Sequence, residues 1–328
     1  MKRFKNILCI VGADEKSVPA LERAVALAEN NQADLTVATV VAPLRIERCS
    51  FEGAPVASEL QEAIAKNRES RLQNQLASYR QRVPISVQVL TGTAFLETIR
   101  QVLRNQHDIV IKVPESSGWG SHAFSSDDKH LLRKCPCPVW MVKSTTGDAF
   151  DRILATVDVD DSYPPDELMT RQQLNETVAD LASSLAVSEF AELHVAHAWE
   201  AVGEDALRHG AFMQRPASEV DAYVEQVRQH HARLLDEFVL KLHDRLGDDV
   251  LDYTKPVVHM PKGEPGKVIP ELARDLEVDC VVMGTVARTG IPGLIMGNTA
   301  ETILDQIACS VLAVKPPGFV TPVVLQNE

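Results

Sequence analysis

The residues best placed to do chemistry lie late in the chain, in the stretch Met283-Gly284-Thr285-Val286-Ala287-Arg288-Thr289-Gly290-Ile291-Pro292-Gly293-Leu294-Ile295-Met296-Gly297-Asn298-Thr299-Ala300-Glu301. Its end, Gly297-Asn298-Thr299, opens a run with helical spacing. The first turn of a helix has backbone N–H groups with no intrahelical partner, and its dipole favours negative charge, so such a start suits an anionic group. A second cluster, Asp158-Val159-Asp160-Asp161, follows an apolar run. These carboxylates either cap a turn or assist a magnesium ion, and both readings stay open. Attack on phosphate by such an aspartate would need a later strand with an acidic pair and a lysine, and Asp248-Asp249 follows a helix-like stretch instead.

Other constellations point to packing. His194 and His197 are three apart on an expected strand, so they face opposite sides and cannot readily share a metal; they read as packing or polar-surface residues. His230-His231 lies in a long helix rich in Glu, Gln and Arg and reads as a solvated face. Cys135-Pro136-Cys137 has no second Cys pair to complete a metal site, so the six cysteines read as structural thiols. No GxSxG, HExxH or GxxxxGK[ST] motif occurs.

The elements that must carry these residues emerge from an internal repeat. Asn6-Ile-Leu-Cys-Ile-Val-Gly12 matches Arg152-Ile-Leu-Ala-Thr-Val-Asp158, and Ala33-Asp-Leu-Thr-Val-Ala-Thr39 matches Ala191-Glu-Leu-His-Val-Ala-His197. Residues 125–143 align without a gap to 297–315, with Leu132/Leu304, Cys137/Cys309, Val139/Val311, Val142/Val314 and Lys143/Lys315 identical. Further strands are expected near 85–90 and 256–260, at 108–112 and 279–283, and at 138–142 and 310–314, with helices between them. Strands alternating with helices imply right-handed crossovers and a parallel sheet covered on both faces. The expectation is therefore an α/β chain of two tandem Rossmann-like domains, each a five-stranded parallel sheet between helices. The boundaries are 1–145 and 146–328, with Ser144-Thr-Thr-Gly-Asp148 as linker. The second half carries an insertion around Ser162-Tyr-Pro-Pro-Asp166, which reads as a surface elaboration.

A net charge of -13 disfavours direct binding to nucleic acid or an anionic membrane, because both need a basic footprint. No apolar segment approaches bilayer length, and the apolar run near the start is too short for a signal core, so a soluble cytoplasmic protein is expected.

With these residues in view, the 283–301 loop resembles the ATP-binding signature of the universal stress protein family: GxxG, nine residues, then G followed by Ser or Thr. Gly284 and Gly297 match it, whereas Ala287 replaces the second glycine and Asn298 the Ser or Thr. Glycine would let the backbone approach phosphate oxygens closely. A methyl at residue 287 is tolerable at negative φ and obstructive at positive φ. Asn298 and Thr299 could donate to phosphate from the helix start.

The resemblance covers nearly the whole chain and is to the tandem, E-type members. It implies domains of the adenine nucleotide alpha hydrolase-like kind, with Asp158 at the nucleoside and Ala198 offering backbone groups to adenine. The implied site is Asp158, Ala198, Met283, Gly284, Ala287, Gly297, Asn298 and Thr299, holding ATP or another adenine nucleotide, with or without magnesium, or no nucleotide at all. Gly12, Lys112-Val-Pro-Glu115 and Ser125-Ser-Asp-Asp128 replace the corresponding parts of the first half, so nucleotide is not expected there.

The implied role is bacterial stress response and DNA-damage resistance, as an intramolecular pseudo-dimer with further dimerisation left open and catalysis poorly supported. Two alternatives stand beside it: a binder of a small apolar or lipid-like molecule, and a weak magnesium-dependent ATPase or phosphatase.

Overall fold

The structure is a computed structural model that describes residues 4–12, 15–44, 57–115, 124–143, 149–210, 214–247, 254–285 and 296–325. Its first half contains β1 (Asn6–Ile10), α1 (Val18–Asn31), β2 (Asp34–Val41), α2 (Ala57–Gln75), β3 (Ile85–Thr91), α3 (Ala94–Asn105), β4 (Ile109–Lys112), α4 (Ser126–Lys134) and β5 (Val139–Met141). The second half contains β6 (Arg152–Thr156), α5 (Pro165–Glu189), β7 (Glu192–Ala196), α6 (Glu204–His209), α7 (Ala217–Leu246), β8 (Val257–His259), α8 (Pro265–Asp275), β9 (Cys280–Gly284), α9 (Asn298–Gln306) and β10 (Ser310–Val314). The expected linker at 144–148 lies outside the described residues.

The strands form one ten-stranded sheet in the order β3-β2-β1-β4-β5-β10-β9-β6-β7-β8. Pairing is parallel within each half, as the crossover helices require, and antiparallel where β5 meets β10. Each half contributes five mutually parallel strands, and the two sets join through β5 and β10 into one continuous sheet. The physical reason is edge satisfaction: β5 and β10 would otherwise present unpaired N–H and C=O groups.

Trp140 and Leu312, equivalent positions of the repeat, face each other, while Met141 pairs with Val311 and Val139 with Ala313. That register is the signature of a pseudo-twofold axis through the seam. Lysines cross it in both directions: Lys143 Nζ donates to Ile307 O (2.6 Å) and Lys315 Nζ to Leu132 O (2.5 Å). Outside them, Lys129 pairs with Asp305 at 2.6 Å and Arg133 with Glu301.

Both sheet faces are covered, which explains why the central strands are continuous apolar runs. Ile7, Cys9, Ile153, Ala155, Leu312 and Val314 point into a core shared with α1 and α5. Leu8, Ile10, Leu154, Val281 and Val311 point to the opposite face, against helices that include α4, α8 and α9. Each core runs through both halves, so the seam is packed as tightly as either half.

Candidate functional site

The carboxyl ends of β9, β6 and β7, neighbours in the sheet, lie side by side beneath a cavity of about 400 Å³. Crevices beyond such strand ends are where open α/β sheets hold ligands. The sequence-derived residues Asp158, Ala198, Met283, Gly284, Gly297 and Thr299 all line this cavity. Asn298 is exposed and outside its lining, and Ala287 lies outside the described residues.

Asp158 ends the β6 run, and its backbone is clamped by Asn175 of α5: Asn175 Oδ1 accepts from the Asp158 N–H (3.0 Å) and Asn175 Nδ2 donates to its carbonyl (2.6 Å). Its carboxylate accepts from Arg171 Nη1 at 2.5 Å and from the Tyr163 hydroxyl at 3.2 Å. The Arg171 guanidinium lies 3.6 Å from the Tyr163 ring centroid and also donates to Glu167 (2.9 and 2.7 Å). Burial, reinforced by the Asp158 charge, pushes the Tyr163 hydroxyl up to about 12, so it remains a donor. The insertion therefore is more than the surface elaboration expected of it, because it delivers Tyr163 and α5 to the carboxylate.

At the β7 end, Ala198 and Trp199 line the cavity beside His197, and His231 closes it from α7. His197 Nε2 and His231 Nδ1 are 2.9 Å apart. Both rings are buried, which corrects the reading of His231 as part of a solvated face. His194 indeed points the other way, to His259 at 2.9 Å. Burial, opposed by the nearby Asp158, lowers the His197 pKa and keeps the ring neutral.

At the β9 end, Gly284 owes its type to packing. A Cβ there would sit 2.5 Å from Leu174 Cδ2 of α5, closer than any real contact. Behind it, Thr285 Oγ1 receives the buried Lys315 Nζ at 2.5 Å, and burial pushes that amine down to about 7. Gly297 caps α9 with extended backbone (φ -63°, ψ 145°) and no side-chain hydrogen bond. Among the described residues no side chain accepts from the first N–H groups of α9, and Thr299 and Ala300 reach the cavity.

The equivalent helix start in the first half is closed. Ser125 Oγ accepts from Asp128 N–H (3.1 Å), and Asp128 Oδ2 accepts from the N–H groups of Ser125 (3.4 Å) and Glu115 (2.8 Å). Lys112 Nζ lies 2.6 Å from Asp128 Oδ1, and Asp128 is fully buried. A carboxylate of the chain itself occupies the place an external anion would take.

Among the described residues no group of three His, Cys, Asp or Glu side chains could hold a metal ion. Asp161 is engaged by His230 at 2.8 Å, and Asp160 caps a turn through Ser162 N–H (2.9 Å). Cys135 and Cys137 are buried with their sulfurs 3.6 Å apart. No helix among the described residues is long and apolar enough to cross a membrane.

Comparison with known families matches residues 3–143 and 169–315 to the universal stress protein family. The chain belongs to that family. Asp158 falls between the two matched segments, just ahead of the second. The chain is 27% identical over 331 residues to "Universal stress protein E" of Escherichia coli (strain K12), covering 100% of this chain and 99% of that one. To the "Universal stress protein E homolog" of Haemophilus influenzae it is 29% identical over 323 residues, covering 96% and 98%.

Among solved structures, a functionally unknown protein from Pseudomonas aeruginosa PAO1 superposes with a TM-score of 0.66 at 23% identity, covering 95% of this chain and 93% of the other. A universal stress protein from Archaeoglobus fulgidus does so at 0.61 and 15%, covering 95% and 98%. At these identities the likeness establishes the tandem α/β fold. Membership in the family supports a role in stress response.

Proposed function

We propose that this chain acts in stress response by holding an adenine nucleotide in the cavity of its second half. The observation that carries the reading is one continuous crevice joining the α9 start, which no side chain caps, to Asp158 and the β7 end. The phosphates belong at α9, where unpaired N–H groups and the helix dipole attract them. The carboxylate of Asp158 disfavours phosphate at the centre, so the sugar lies there and the base lies over Ala198. Thr299 lines the phosphate end, while Asn298, exposed and outside the lining, contributes its backbone N–H alone.

Magnesium, where present, travels with the phosphates, because Asp158 and Asp161 are already engaged by Arg171 and His230. The first half, 1–145, is structural in this reading, and the second, 146–328, binds the ligand. DNA-damage resistance and a cytoplasmic location belong to the same proposal. No residue is assigned a catalytic role.

The test is calorimetric titration with ATP and magnesium, preceded by native mass spectrometry of gently purified protein. Binding is expected, and Gly297→Leu and Asp158→Ala should each weaken it at least about tenfold, the loss of one to two charge-assisted contacts. A wild-type protein that takes up no adenine nucleotide overturns the reading.

A second reading has its own observation: a cavity of about 470 Å³ between α5 and α7, where Leu168, Leu234, Phe238 and Leu242 form an apolar strip within a charged wall that includes Asp158, Asp161, Glu176, Glu237, Lys241 and Arg245. An apolar or lipid-like ligand suits it. A copurifying apolar mass that ignores Gly297→Leu would favour this alternative.

A further inference from the structure

Among the described residues, a ring nitrogen of His231 at the candidate site makes no hydrogen bond to the protein, and the protein itself sets what that nitrogen can do. His231 is 8% exposed and lines the cavity. Its Nδ1 faces His197 Nε2 at 2.9 Å, and among the described residues no hydrogen bond reaches its Nε2. One proton lies in the 2.9 Å contact between the rings, so in their uncharged forms the state of the outer nitrogen of one ring fixes that of the other.

His197 Nδ1 has two backbone neighbours. The carbonyl of Val157 lies at 3.3 Å and the N–H of Val159 at 3.5 Å. The shorter contact is satisfied when His197 carries its proton on Nδ1 and donates it to Val157. His197 Nε2 is then an acceptor, His231 Nδ1 must be the donor to it, and His231 Nε2 is left with a bare lone pair at the cavity. Trp199, whose ring centroid is 6.2 Å from that of His231, supplies an apolar wall beside it. This is the end of the cavity farthest in strand order from α9, with β6 and its carboxylate between.

We infer that His231 is a specificity-determining residue of the ligand site, its Nε2 accepting a hydrogen bond from an amino group on the edge of a nucleobase, with His197 as the positioning residue that fixes the tautomer. The inference rests on the proposed nucleotide reading and extends it. A base with an exocyclic amine at this edge satisfies the lone pair. A base with a carbonyl there places two acceptors face to face, or forces both imidazoles into the other tautomer and shifts the backbone bond from Val157 to the longer Val159 contact.

Two measurements test it. Long-range nitrogen–proton correlation spectra of protein labelled at histidine nitrogen report tautomers without any ligand. His197 and His231 are both expected as Nδ1–H forms, and an Nε2–H form of His231 overturns the inference. Calorimetry then compares ATP with inosine triphosphate, which has a carbonyl in place of the amine. Wild-type protein should prefer ATP by about tenfold, the magnitude of one hydrogen bond with its unsatisfied alternative. His231→Phe should bring the two ligands within about threefold, and His197→Phe, which frees the tautomer, should do likewise while ATP binding persists. Equal wild-type affinities sink the role of His231 and leave the proposed function standing. Binding of neither triphosphate sinks both.

Discussion

Replacing Gly284 with alanine separates the two reasons a glycine can stand at the end of β9. The added Cβ would lie 2.5 Å from Leu174 Cδ2 and 3.0 Å from Cγ, with Cδ1 at an ordinary 3.4 Å, so two atoms of one α5 side chain must retreat. Leu174 is packed in the core between α5 and the sheet and also lines the cavity, so its branch can yield only toward that cavity. Overpacking of this kind costs about 1–3 kcal/mol. Leu174→Ala alone removes those atoms and leaves a void, costing roughly 2–4 kcal/mol.

In the double variant the new methyl faces the vacated space. Its total cost should therefore fall below the sum of the singles by about 1–2 kcal/mol, a favourable coupling well beyond the ~0.5 kcal/mol scatter of independent sites. Urea unfolding followed by circular dichroism reads all four corners of the cycle. Additive costs, or a Gly284→Ala protein as stable as wild type, refute the packing account. If that stable variant also lost ATP, the glycine would be there for the ligand's approach.

Other perturbations probe the remaining parts of the architecture. Asp128→Asn leaves the buried Lys112 amine with only the exposed Glu115 carboxylate at 3.5 Å and loosens the α4 cap, so it should cost about 3 kcal/mol in denaturant unfolding, against about 1 kcal/mol for Ser125→Ala. Lys315 is protonated more readily unfolded than folded, since burial pushes its folded pKa down to about 7. The unfolded chain thus binds the extra proton above pH 7, and stability should rise by about 1 kcal/mol per pH unit from pH 7 to 8.5; Lys315→Met should abolish that slope. The window stops there because Cys9 and Cys309, pushed up to about 12 and about 11 by burial, act in the opposite direction once unfolded thiols ionise. Arg171→Met frees the Asp158 carboxylate. If the ion pair masks the sugar-binding face of that carboxylate, ATP should bind several-fold more tightly by calorimetry, and weaker binding would assign Arg171 to the ligand.

The strands were legible because they are buried on both faces. Ile7 to Ile10 and Cys280 to Met283 read as unbroken apolar runs, and the repeat supplied the register between halves. The seam was less legible, since nothing local in Val139 to Met141 distinguishes a terminal strand from one awaiting an antiparallel partner. Gly297 and Thr299 were singled out by the resemblance of the 283–301 loop, and Asp158, at the end of a different apolar run, by the same resemblance. Arg171 and Asn175 were missed because their contact with Asp158 depends on how α5 crosses the sheet after a long connection. Their spacing does hold a trace: Glu167, Arg171 and Asn175 recur at four-residue intervals on one helix face. His231 was missed because α7 is polar overall, and only the sparse stripe Val220, His231, Leu235 and Leu242 marks its buried side.

The two halves share a fold yet solve the same helix end in opposite ways, and the seam explains how both solutions can coexist. In the first half, Asp128 turns back to cap α4 and binds Lys112, so dipole, charge and hydrogen bonds are satisfied internally. In the second half, Met283 stands where the repeat puts Lys112, and among the described residues Thr299 to Glu301 carry no capping carboxylate bond; in the proposed reading an external anion takes that place. A helix start left open sacrifices the stability a capping box supplies, typically about 1 kcal/mol. Because β5 and β10 join the halves into one sheet with shared cores, the closed half can support the open one. Ligand binding at α9 should accordingly stabilise the whole chain rather than the second half alone, and hydrogen exchange would show protection spreading across the seam to β5.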